Sequence, residues 1–131
     1  MLLPLAFVAS AVSGIGLHMA GHGYSHEEWH NRAVAHVVLS LLWLISVAIH
    51  VKHHAGWYKS IITRGIGKKS RMTLLLSAAF LFVTITGIVL LAGVDGANSA
   101  MGLWHYRIGL LLTVVSIIHV ASRKRRKRRK S

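Results

Sequence analysis

From Ala35 to His54 the chain reads AHVVLSLLWLISVAIHVKHH, an apolar stretch long enough to cross a bilayer, with His36 near one end and His50 near the other. Few features restrict a fold more. Lipid offers the backbone no hydrogen-bond partner, so such a segment is expected to be a helix. An imidazole held inside lipid is costly and usually has a task. Fourteen residues on an α-helix advance about 21 Å with an angular offset of about 40°, so the two rings fall on nearly one face at opposite depths. Near the C-terminus, WHYRIGLLLTVVSIIHVASR repeats the arrangement. His105 and His119 are again fourteen residues apart, each 69 residues after its counterpart. The same pair at the same spacing on two segments predicts a duplicated unit built around these histidines.

Four apolar segments can be read, at residues 2–20, 33–51, 72–94 and 102–121. Each approaches the ~20 residues that span a hydrocarbon core. A chain that is 53% hydrophobic and carries a net charge of +13 must keep its charge apart from its apolar runs, and this one does. The first segment has the length of a secretory signal, with Ala9-Ser10-Ala11 resembling a cleavage site. No basic residue precedes it, however, and its Ser13-Gly14-Ile15 echoes Thr86-Gly87-Ile88. It is therefore read as a helix of the mature protein. The predicted fold is all-α: an integral membrane four-helix bundle built from two repeated helical hairpins, residues 1–54 and 72–121, in one domain (1–121) followed by a basic cytoplasmic tail (122–131). Between the glycine and the first histidine, the first hairpin is four residues longer than the second.

Lys52, Lys59, Arg64, Lys68, Lys69 and Arg71 follow the second segment, and an unbroken basic run from Arg123 to Lys130 follows the fourth. The other two loops hold only Arg32. The distribution of Lys and Arg thus predicts both termini in the cytoplasm and the loops near 21–32 and 94–102 outside. In a four-crossing topology the second and fourth helices run the same way. His36 is then expected to face His105 near the outer surface, and His50 to face His119 near the inner one.

Two imidazoles converging from facing helices of a bundle are the usual setting for a haem held without a covalent link. The chain has no cysteine, which excludes thiolate-held clusters and covalent attachment through C-x-x-C-H. Its three carboxylates, Glu27, Glu28 and Asp95, leave little for paired-carboxylate catalysis. An iron closed on both faces by histidine does not readily take O₂ or peroxide, and one-electron transfer is the chemistry left. The expected axial ligands are His36, His105, His50 and His119. Ser40 and Gly109, matched in the 69-residue register, offer room for a flat macrocycle against the backbone, as do Gly14 and Gly87. Arg32 and Arg107 on the outer side, and Lys52, His53, His54 and Arg123 on the inner, are placed to meet propionates or simply to sit at the surface.

The paired histidines, with SGI and TGI on the preceding helices, resemble the bacterial four-helix di-haem b-type cytochromes. That group includes the flavinylation-associated membrane cytochromes and the cytochrome b subunits of formate dehydrogenases and hydrogenases. HEEWHNRAVAH, IHVKHHAGWYK and LWHYRIG are similar to the flavinylation-associated branch in particular. The resemblance covers nearly all of the chain except the basic tail. It implies two non-covalent haem b groups, a bacterial cytoplasmic (inner) membrane location, and electron exchange with a quinone or with a partner redox protein, a flavoprotein or another cytochrome.

Extra histidines crowd the start of the second segment. His18, His22, His26 and His30 recur every four residues, and His26-Glu27-Glu28-Trp29-His30 matches the H-E-x-x-H zinc motif. That motif works on a helix inside a cleft with a further ligand, whereas here it is expected in a short loop. His18 or His22 stays open as an alternative outer haem ligand, or as part of a third site. The basic tail suits anionic lipid at the membrane surface, and no nucleic-acid partner is expected. The chain reads as an electron-relay subunit and not a complete enzyme. A histidine-rich membrane metal-binding or transport protein, and a haem-free accessory subunit, are the alternatives.

Overall fold

The computed structural model describes residues 2–67, 71–93 and 99–130. Lys68, Lys69, Asp95 and the part of the second short loop at 94–98 lie outside them. Five helices follow one another: α1 (Leu2–Ala20), α2 (His26–His53), α3 (Ala55–Arg64), α4 (Arg71–Leu91) and α5 (Ala100–Arg128). There is no strand among the described residues. The all-α expectation holds, and α1, α2, α4 and α5 are long and apolar enough to cross a membrane.

The helix boundaries differ from the sequence reading in three places, each for a local reason. First, α2 begins at His26, well before the apolar run. The Ser25 hydroxyl caps it by accepting the Glu28 N–H at 3.3 Å, and Glu27 and Glu28 stand in the first turn. Carboxylates there complement the positive end of the helix dipole. The H-E-x-x-H residues thus lie on a helix and not in a loop. The histidines at 18, 22, 26 and 30 do not share one helix face, because the chain turns between Gly21 and Ser25. Gly23, at φ 151°, takes a backbone conformation there that other residues rarely adopt. Second, the basic loop after α2 contains a helix of its own, α3. Third, α5 runs through the basic residues to Arg128. At 28 and 29 residues, α2 and α5 are each about 42–44 Å long, against the ~30 Å of a hydrocarbon core. Their polar ends therefore extend into the interfacial layers.

The chain divides into two compact units, Met1–Ile66 and Gly67–Ser131. In the first, α1 packs antiparallel on α2, with Phe7 against Trp43 (ring centroids 5.8 Å), Ser10 bonded to Ser40 (2.9 Å) and Ser13 to His36 (2.9 Å). In the second, α4 packs on α5. The buried residues of both are mostly small: Ala6, Ser10, Ala20 and Ser46 in one, Ala79, Thr86, Gly102 and Leu112 in the other. Large apolar side chains such as Leu42, Ile45, Leu81 and Ile85 point outward. Small residues inside and large apolar residues outside is how helices pack when the solvent is lipid.

Candidate histidine site

The two hairpins build the same arrangement around their first histidine. In α1, Ser13 and Gly14 fall on the small-residue stripe that faces α2, continuing Ala6 and Ser10 at helical spacing. The Ser13 hydroxyl donates its one hydrogen to the Ser10 carbonyl at 2.8 Å. Its oxygen is left to accept from Nδ1–H of His36 at 2.9 Å. In α4, the Thr86 hydroxyl turns its hydrogen toward the carbonyls of Phe82 and Val83, at 2.9 and 3.1 Å. Its oxygen meets Nδ1 of His105 at 2.8 Å. With the hydroxyl hydrogen spent on a carbonyl, each hydroxyl oxygen suits a ring that carries its proton on Nδ1. That is the tautomer a metal-ligating histidine adopts when its other nitrogen is held by a neighbouring acceptor.

The glycine beside each hydroxyl is the second half of the arrangement. A Cβ on Gly14 would lie 3.0 Å from Cε1 of His36, and one on Gly87 would lie 3.1 Å from Cε1 of His105. The sequence reading gave these glycines to a macrocycle. In the structure the space is filled by the imidazole itself, packed flush against the preceding helix. Gly109, by contrast, has nothing within 4 Å of where its Cβ would stand. Ser40 is tied to Ser10 across the hairpin.

The second histidine of each pair is held differently. His50 is exposed, with its ring 4.6 Å from that of His54 one turn on. His119 is half-buried, one turn before Arg123. The guanidinium of Arg32 lies 5.1 Å over the Tyr24 ring and close to Gly16 of α1, and Arg107 is exposed. Around the first turn, His22 Nδ1 bonds the His18 carbonyl at 2.9 Å and the two rings are 4.9 Å apart. His26 stacks on Trp29. No group of three or more His, Asp or Glu side chains that could hold a metal ion occurs among the described residues.

Ser13 and Thr86 were not singled out from sequence, although the signal was there. Both precede the paired glycines, and Ser and Thr share only the hydroxyl the histidine uses. The α1/α4 repeat also extends further than the SGI/TGI echo. Ala6-Phe7, Ser13-Gly14-Ile15 and Leu17 match Ala79-Phe80, Thr86-Gly87-Ile88 and Leu90 at a constant offset of 73 residues. The histidine helices are offset by 69, so the four extra residues of the first hairpin fall between the glycine and His36.

Comparison of the chain with family models, curated proteins and solved structures gave no match.

Proposed function

We propose that the protein is a membrane di-haem cytochrome b that relays electrons between the two faces of a membrane. The observation that carries this reading is the duplicated hydroxyl–imidazole–glycine arrangement. It holds His36 and His105 by the same ring nitrogen, against the same kind of neighbour, in two hairpins related by an internal repeat. The donor set fits haem: neutral imidazoles, no thiolate and few carboxylates. His36 with His105, and His50 with His119, would supply two axial pairs. Held by these histidines, haem would supply one-electron transfer. Ser13 and Thr86 hold the outer rings at Nδ1, and Gly14 and Gly87 let those rings lie close to the helix. Arg32 and Arg107 serve the outer propionates. A quinone and a flavoprotein or cytochrome partner are the expected exchange partners, and the helical basic end of α5 suits anionic lipid.

A purely structural histidine would make the same hydrogen bond, so haem content is the deciding measurement. Purified protein is expected to show a sharp Soret band, a reduced α-band and two haems per chain. Bound zinc or copper without haem would favour the metal-binding alternative, and neither would favour the accessory subunit. The proposed orientation has both termini cytoplasmic in a bacterial inner membrane. A reporter fused after Ser131 should then read as cytoplasmic and one inserted near Asn98 as extracytoplasmic. A C-terminal tail outside would reverse the depth given to every ligand.

A further inference from the structure

The helix that the sequence reading missed carries chemistry of its own. α3 starts one residue after α2 ends, with His54 serving as C-cap of one and N-cap of the other. No linker separates it from the end of a membrane-length helix. At ten residues it spans only about 15 Å, too short to cross a bilayer. At ~100° per residue its two sides separate cleanly. Trp57, Tyr58, Ile61 and Ile62 occupy one side, and Gly56, Lys59, Ser60 and Thr63 the other, with Arg64 at the boundary. The hydroxyls of Ser60 and Thr63 bond back to carbonyls of α3 itself. Trp57 and Tyr58 meet edge to face, with centroids 4.9 Å apart. Ile62 is 86% exposed, and α3 packs on α2 far less than α1 does.

Charge identifies what covers this face. Residues 52–71 contain six cations, and no carboxylate occurs between Glu28 and Asp95. We infer that α3 lies along the membrane interface and docks on anionic lipid headgroups of the leaflet where α2 ends. Trp57, Tyr58, Ile61 and Ile62 enter the headgroup–acyl boundary, and Lys59 and Arg64 meet lipid phosphates. A Trp–Tyr pair, exposed isoleucine and unopposed cations are the features of an interfacial helix. A protein groove would be expected to oppose those cations with carboxylates, and residues 29–94 of this chain contain none.

The absence of cysteine makes the test direct. Nitroxide labels on Ile62→Cys and Thr63→Cys, in full-length protein reconstituted into phosphatidylcholine vesicles with phosphatidylglycerol, report opposite sides of α3. The ratio of oxygen to nickel-chelate accessibility is expected to be higher at the Ile62→Cys label. The difference should shrink in pure phosphatidylcholine and in the Lys59→Gln/Arg64→Gln background. Equal, high nickel accessibility at both labels would put α3 in water and overturn the inference. An Ile62→Cys label shielded from both reagents would mean that protein, this chain or a second copy, covers the face, and would overturn it too. A contrast indifferent to lipid charge and to the glutamines would overturn the anionic part. Should Ile62→Cys fail to fold, the loss of bromolipid quenching on Trp57→Phe reads the same depth, and unchanged quenching counts against the inference.

Discussion

At the end of each hairpin near its turn, the histidine is gripped from the neighbouring helix. Ser13 and Thr86 hold Nδ1, and the space beside Gly14 and Gly87 is filled by the ring. At the far end, His50 stands exposed beside His54 of its own segment, and His119 is half-buried before Arg123. The turn-side ring is therefore oriented within one hairpin, before anything else binds. Preorganisation lowers the ordering cost of binding, and under the proposed function the turn-side pair has that advantage.

The largest expected effects break this comparison at its ligands. His36→Ala or His105→Ala should abolish the outer haem and leave the inner one low-spin. His50→Ala or His119→Ala should do the reverse, and any of the four should block electron transfer across sealed vesicles. Within α5, His105 and His119 lie fourteen residues, about 21 Å, apart, so under the proposed pairing they serve separate haems. A folded His36→Ala variant with both low-spin haems would hand the outer site to His18 or His22 and refute the grip as a ligand device.

Next in size are the glycines. Gly14→Ala and Gly87→Ala force a methyl against the imidazole. The ring must then shift by a few tenths of an ångström against its Ser13 or Thr86 bond, which is expected to weaken the outer haem's absorption and retention while sparing the inner one. Equal loss of both haems would show that the glycines serve only helix packing.

Smaller again is the hydroxyl. Ser13→Ala or Thr86→Ala removes a hydrogen bond worth about 1 kcal/mol. If that is felt differently by the two redox states, it moves the outer potential by up to about 40 mV for one electron. Ser13→Thr and Thr86→Ser should restore the parent value. A shift that appears in the inner haem instead, read by potentiometric titration, would contradict the assignment.

The smallest effect is at the H-E-x-x-H match. The first-turn position of Glu27 gives it a structural role worth about 0.3–1 kcal/mol through the helix dipole. Glu27→Gln should cause a slight loss of thermal stability and leave the haem spectrum nearly intact. Zinc-dependent peptidase activity in the parent that vanishes in this variant would overturn that reading.

Much of the architecture was legible in the order of residues. Apolar runs of membrane length must close their backbone hydrogen bonds internally, so α1, α2, α4 and α5 follow from composition alone. Histidines fourteen apart fall on one helix face by geometry, and their recurrence 69 residues later exposes the duplication. Those inferences need only the pitch of a single helix. What the tertiary structure decided depends on how neighbouring helices are rotated and how closely they approach. It gave the space at Gly14 and Gly87 to imidazole, and it brought the Ser13 and Thr86 hydroxyls to Nδ1 of His36 and His105. Capping by Ser25 carried α2 back to His26. The break in helical backbone at His54 (φ −105°, ψ 16°) made α3 a separate helix inside what reads as a basic loop. None of these is a property of spacing along one helix, because each arises where a side chain meets a backbone group or ring that the sequence places many residues away or at a helix end.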